Sequence, residues 1–276
     1  KRADDVLLGT EIRVMSKIPT MVKKLAPTKF ERVEKKSGLL KMVSVPDKFT
    51  PELASLCGYI IGDGHIHKRG YSVTCYVNNE EIDLIGKLSE LWKKTFDVKP
   101  SIYVKNINGG VKTIDDGRGL LRQIVSTQQL HILEINSRQV AQSLSFLSNK
   151  RVPQEMFKSP KPVIARFVSW LFEADGCAFG NGRGRTSVQL KSSTRDLLRD
   201  VQLLLLYFGI QSRIISNNLC IRRSYDMELY AKYIGFNSEK KKKALNNVLE
   251  VIKSKSDIQK RKKFQRWEKI IKILPA

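Results

Sequence analysis

Two apolar runs in this chain stop abruptly at an acid followed by a glycine. Leu56-Cys57-Gly58-Tyr59-Ile60-Ile61 leads into Gly62-Asp63-Gly64, and Val168-Ser169-Trp170-Leu171-Phe172 leads into Glu173-Ala174-Asp175-Gly176. Thr50-Pro51-Glu52 is a helix start, with Thr as N-cap and Pro at the first helical position, so the first run is predicted as a helix from about 50 to Gly62. Pro162 opens the second helix, which ends at Gly176.

The pattern after each helix is the same. Arg69-Gly70 reads as a turn between strands at His65–Lys68 and Tyr71–Val77, where Val73, Cys75 and Val77 alternate with Ser72, Thr74 and Tyr76. A helix follows through Ile82, Leu84, Ile85, Leu88, Leu91 and Trp92, then strands at 102–104 and 130–135 and a helix at about 137–147. In the second half a Gly-rich turn (Gly180, Gly182, Gly184) leads to a strand at Thr186–Lys191. A helix through Leu197–Leu205, strands near 213–216 and 219–223, and a helix at 226–234 complete it. Each half reads αββαββα, and the two acids lie about one small domain apart. The predicted fold class is α+β, a pseudo-two-fold pair of halves with two antiparallel sheets and two central helices. The halves span 50–150 and 151–250. A basic segment at 1–49 is broken by Pro19, Pro27 and Pro46. In the tail, 251–276, Phe264, Trp267, Ile271 and Leu274 fall at helical spacing and predict an amphipathic helix docked on the body.

An aspartate at a helix C-terminus faces unpaired carbonyls and is repelled. If the two helices pack side by side, the carboxylates of Asp63 and Asp175 also repel each other. A divalent cation relieves both, since hard cations take oxygen ligands. Gly58 and Gly62 stand four apart on one helix face, where each costs about 1 kcal/mol relative to Ala. Close approach of a partner helix offsets that cost. Trp170 and Ala174 are the corresponding positions of the second helix; Trp170 either fills space over Gly58 or faces the core with an asymmetric crossing. A structural alternative for each Asp-Gly is an ordinary helix stop with Gly at C′.

Composition narrows the partners. The 276 residues contain 50 Lys+Arg against 27 Asp+Glu, a formal charge of +23. That balance favours a polyanion, nucleic acid before an anionic membrane surface. No apolar run is long enough to cross a bilayer, so no membrane partner is expected. Cys57, Cys75, Cys177 and Cys220 form no C-x-x-C pair and read as core residues in an intracellular, reducing compartment. His65 and His67 could share a strand face, which suits a groove or solvent role better than zinc. His131 is alone.

These motifs resemble the LAGLIDADG homing endonucleases of the single-chain, two-motif, intein-associated type. The stretches ending at Gly64 and Gly176 carry the likeness, together with Lys150-Arg151-Val152-Pro153, Leu197–Ile210 and Ile234-Gly235-Phe236 followed by lysines. Residues 4–24 are similar to the end of an intein's N-terminal splicing segment. No splicing Cys or Ser opens the chain and no His-Asn pair closes it, so splicing itself is not expected. Segment 1–49 is then a splicing-domain remnant or a DNA-contacting arm.

The resemblance implies a saddle of two sheets over DNA and a monomer with internal pseudo-symmetry. It implies cleavage of both strands of a long asymmetric site, leaving short 3′ overhangs. Asp63 and Asp175, with carbonyls near Gly62 and Ala174, would ligate Mg²⁺ or Mn²⁺; Ca²⁺ is expected to bind without supporting cleavage. Lys150 and Lys240 sit where the family carries basic catalytic residues, although Lys240–Lys243 also reads as a solvated charge run. DNA contacts are expected from Ser72, Thr74, Tyr76, Lys105, Arg183, Arg185, Ser187, Gln189, Lys191 and Arg222. A catalytically silent binder on the same scaffold, an RNA maturase or a transcription regulator, is the alternative. Retention of both acids favours the nuclease.

Overall fold

The computed structural model describes residues 11–14, 17–19, 22–28, 30, 43–115, 121–180, 186–255 and 266–269, with backbone alone at 11–14, 107–115, 121–128, 255 and 266–269. Helix α1 (Pro51–Asp63) begins where the sequence predicts: the Thr50 side chain accepts a hydrogen bond from the Leu53 amide at 3.2 Å. Every residue from Leu53 to Ile61 is buried. A helix apolar all round belongs in the middle of a protein, and α1 packs there against α5 (Lys161–Asp175), which is buried from Phe167 to Glu173. Burying each large aliphatic side chain of this seam contributes about 2 kcal/mol.

Around the pair the two halves repeat. The first runs α1, β2 (Gly64–Ile66), β3 (Val73–Asn78), α2 (Asp83–Phe96), β4 (Ser101–Asp115), β5 (Leu121–Ile135) and α3 (Arg138–Ser143). The second runs α5, β6 (Gly176–Gly180), β7 (Thr186–Lys191), α6 (Arg195–Leu206), β8 (Arg213–Ile215), β9 (Asn218–Ile221) and α7 (Ser224–Tyr233). The short α4 (Gln154–Phe157) lies in the connection. Both sheets are antiparallel and share one order: β2-β3-β5-β4 and β6-β7-β9-β8. Val73, Cys75 and Val77 face the helices with no exposure, as do Val188 and Leu190. The αββαββα repeat and its pseudo-two-fold are therefore present.

Four features differ from the sequence reading. Strand β6 fills the stretch between the predicted helix end at Gly176 and the Gly-rich turn, and takes in Gly180 of that turn. Strands β4 and β5 are 15 residues each, far longer than predicted. Their outer parts are polar and contain Gly109-Gly110, where the register shifts, so no simple alternation marks them. A helix, α8 (Glu239–Lys255), follows the second half. Its inward residues Leu245, Val248 and Ile252 are buried at helical spacing inside a lysine-rich segment. Finally, Arg266–Lys269 forms strand β10, antiparallel to β1 (Glu11–Val14), with Trp267 opposite Arg13. The predicted tail helix is thus wrong at these four residues, because pairing with β1 satisfies the backbone there. Phe264, Ile271 and Leu274 lie outside the described residues.

The N-terminal segment touches both halves. The Ile18 amide donates to the Leu206 carbonyl at 3.0 Å, and Phe30 packs against Phe49 and Phe146.

Candidate active site at the helix seam

Tight glycine contacts hold α1 against α5. A Cβ on Gly58 would lie 2.2 Å from the Phe167 carbonyl oxygen, and one on Gly62 would lie 2.4 Å from the Ala174 Cβ and 3.2 Å from Asp175 Oδ2. Backbones approach here as they do in small-xxx-small pairs. Gly62 thus brings the end of α1 directly onto the Asp175 carboxylate. Trp170 does not meet Gly58, which faces the backbone of Phe167 and Leu171. It is buried edge-on against Tyr59 at 5.8 Å, so the crossing is asymmetric.

The glycines after the acids have a different reason from the C′ stop. Gly64 and Gly176 have φ of −112° and −106°, extended and open to any residue. Each donates its amide back into the helix, to Ile60 and Phe172. An added Cβ would sit 2.4 Å from the Ile60 Cα or 2.5 Å from the Phe172 carbonyl oxygen. Only glycine lets a strand leave the helix with no intervening loop, which fixes Asp63 and Asp175 at matching corners.

Electrostatics at the corners are unfavourable for two anions. Burial, with Asp175 close by, pushes the Asp63 carboxyl up to about 6, against the pull of Lys241 and Lys150. Burial also raises Asp175, opposed by Lys150 and Lys241.

Lys150 has φ of 51° and follows a 3₁₀ turn at 145–149, its amide donating to the Leu147 carbonyl. The next residue, Arg151, grips Asp200 of α6 through Nε at 2.7 Å and Nη2 at 3.0 Å. Clamping on both sides holds Lys150 between two clefts. One, of about 620 Å³, is lined by Gly62, Ala174, Asp175, Gln189 and Lys191. The other, of about 600 Å³, is lined by Gly64, His65, His67, Lys68 and Arg69.

A family model described as a LAGLIDADG-like domain matches residues 50–144 and again 162–260. The chain belongs to the LAGLIDADG family. Among curated relatives, it is 25% identical over 230 residues to a glutamine–fructose-6-phosphate aminotransferase of Methanocaldococcus jannaschii, covering 76% of this chain and 18% of that protein. It is 30% identical over 176 residues to the ribonucleoside-diphosphate reductase NrdEB subunit alpha of Bacillus subtilis, covering 61% of this chain and 15% of that one. The chain thus spans under a fifth of either relative. Among solved structures, mesophilic variants of the homing endonuclease I-DmoI align at 16% identity and a TM-score of 0.46, covering 67% of this chain and 91% of that one.

Within this LAGLIDADG unit the lysine bonded to the end of α5 is Lys241. Its ammonium donates to the Glu173 carbonyl and, at 3.3 Å, to the Ala174 carbonyl, and lies 3.6 Å from Glu81. Lys240, the sequence candidate, pairs instead with Glu80 on the surface. Lys241 lies four residues before Leu245 and shares the inward stripe of α8, a weak signal within a run of lysines, whereas Lys240 does not. Glu173 is fully buried and accepts from the Ser238 amide at 3.1 Å and from the Asn237 amide, at the start of α8. A carboxylate there meets the positive end of the helix.

The proposed DNA face divides. Lys105, Lys191 and Arg222 are exposed, Ser72, Tyr76 and Gln189 are half-buried, and Thr74 and Ser187 are buried. Ser187 accepts from Gln189 at 2.7 Å. Ser72 precedes β3 rather than lying in it, and Arg183 and Arg185 lie outside the described residues. His131 is buried beside Asn79, with Nε2 3.1 Å from Oδ1. His67 stacks on Tyr71 at 5.6 Å. All four cysteines are free, but Cys177 is exposed rather than core.

Proposed function

We propose that this LAGLIDADG unit is a site-specific, divalent-metal-dependent endonuclease that cuts double-stranded DNA. The observation that carries it is the meeting of Asp63 and Asp175 at one seam, flanked by Lys150 and Lys241. Among the described residues no three His, Cys, Asp or Glu side chains cluster for a metal. Two carboxylates with helix-end carbonyls nonetheless suit Mg²⁺, which takes one or two carboxylates and leaves positions for substrate phosphate and water. Asp63, Asp175 and the carbonyls near Gly62 and Ala174 would hold it. When bound, such an ion lowers the pKa of water and stabilises the departing oxygen. Lys150, at the junction of the two clefts, would neutralise phosphate and orient water. A divalent ion would relieve what Lys241 and Lys150 leave of the repulsion that Asp175 exerts on Asp63.

The exposed sheet-face lysines set the phosphate contacts. Lys105→Ala and Lys191→Ala are each expected to reduce the slope of log binding constant against log salt by about 1, as counterion release requires. Fluorescence anisotropy across a salt series checks this. The activity itself is tested by incubating the protein and Mg²⁺ with a randomised target library and sequencing the ends. Double-strand breaks with short 3′ overhangs are the expected product; tight binding without breaks would point to the silent-binder alternative.

We also propose that the unit is carried as an insertion in a larger protein, as an intein is. Pairing of β1 with β10 brings segments from the two ends of the chain side by side. An inserted unit needs that closeness, and the matched segments are small parts of two otherwise different relatives.

A further inference from the structure

The two motif-helix ends are alike in backbone but not in charge. Lys241 reaches over the end of α5 and donates to the Glu173 and Ala174 carbonyls. Its side chain is 14% exposed, so this cation is held inside the protein rather than loose on its surface. Among the described residues, no side chain donates to the last carbonyls of α1. Helix α8 is the reason. Its inward stripe plants Leu245, Val248 and Ile252 against the second half, and Lys241 is the residue of that stripe nearest the seam. The first half has no described counterpart of α8; it ends in α3 and the 3₁₀ turn that presents Lys150.

The acids around Lys241 make its position specific. Glu81, 11% exposed in its side chain, lies 3.6 Å from the ammonium. The Glu173 carboxylate caps the start of the same α8, with Oε1 buried and unbonded among the described residues. Asp63 and Asp175 both feel the lysine's charge. One ammonium thus serves two helix-end carbonyls, lies beside Glu81 and acts on both motif aspartates.

We infer that Lys241 is a resident cation at the end of α5, and that it makes the two motif ends unequal toward divalent ions. The inference rests on the metal reading above. The Ala174 carbonyl is the oxygen that would otherwise serve a metal at this corner. An ion there must displace Lys241 or share its oxygen against charge repulsion. Among the described residues, the Gly62 end carries no such competitor. Lys241 is therefore a positioning residue: it acts through who occupies the Ala174 carbonyl.

The test uses the intact protein without DNA and Mn²⁺ as probe, with free Mn²⁺ read by electron paramagnetic resonance. Wild-type protein is expected to take up Mn²⁺ in two steps about tenfold apart, a factor that repulsion at a few ångströms supplies even when screened. Lys241→Met and Lys241→Gln should bring the steps together, Lys241→Arg should keep them apart, and Lys240→Met should leave them unchanged. A single step in wild type that becomes two in Lys241→Met also supports the assignment. Two equal steps in wild type, or a spacing unaltered in both neutral variants, overturns it. Two neutral variants are used so that either one, folded, decides the comparison with wild type. No Mn²⁺ uptake by the wild-type protein would instead overturn the metal reading itself, and this inference with it.

Discussion

On the proposed reading as a DNA endonuclease, Asp63→Asn and Asp175→Asn are each expected to lower the rate of DNA cleavage by at least about 10³-fold while leaving duplex binding intact or slightly tighter. Each replacement keeps the shape of the corner and removes the anionic ligand. It also removes a negative charge from the seam proposed to face phosphate, which is why binding is not expected to suffer. Stability moves the other way. Asp63 titrates at about 6 in the folded chain, against 3.8 as its ordinary value. A carboxyl raised on folding stabilises the native state only while it is protonated. That contribution is present below its unfolded value and is lost as pH rises through about 6. At pH 7 the ionised group therefore costs about 2 kcal/mol, after discounting for partial solvent access. Asp63→Asn should raise Tm at pH 7 by about 4 °C, and the gain should vanish near pH 4. Paired thermal melts at the two pH values check the sign. A variant that cleaves normally would remove Asp63 from the chemistry, and one that melts lower at pH 7 would refute the strain at the corner.

The second large effect is steric. Gly58→Ala is expected to destabilise the protein by about 3 kcal/mol, lowering Tm by about 6–12 °C. Its Cβ would sit 2.2 Å from the Phe167 carbonyl oxygen and 3.0 Å from the Leu171 amide, both backbone atoms that cannot rotate away. The helices must separate instead, which moves Asp63 off the Asp175 corner. Activity should fall further than the loss of folded protein explains. Gly86→Ala is the contrasting control: its Cβ would meet nothing within 4 Å, and it lies inside α2, where Ala is the better helix former. A similar melt for both alanine variants would show that the seam is not tightly packed at Gly58.

Much of this arrangement was readable before any coordinates. Both motif helices, the Thr50 cap of the first and strands β3 and β7 come from short-range signals: Thr50-Pro51, the apolar runs, and alternation at 73–77 and 186–191. The coupling of Asp63 to Asp175 was readable because the repeat places each at the same corner of its half. Other elements were hidden for identifiable reasons. The long β4–β5 hairpin has polar residues on both faces, so period two does not show. Helix α8 hides three inward aliphatics in a run of lysines, and charge masked period. The same stripe carries Lys241, rather than the sequence candidate Lys240, to the carbonyls at the end of α5. Thr74 and Ser187 alternate correctly with the apolar positions of their strands, yet both are buried. Alternation gives the face, not how deeply neighbouring chain covers it.

The hairpin of β4 and β5 has a consequence for handedness of approach. Its thirteen registered pairs extend one end of the molecule, while β8 and β9 on the other end make three. Two halves that agree at the centre therefore disagree at their tips. A duplex looks nearly the same when turned end for end, but this protein does not. On the proposed reading as a DNA-cutting unit, these unequal wings suit an asymmetric site better than a palindrome.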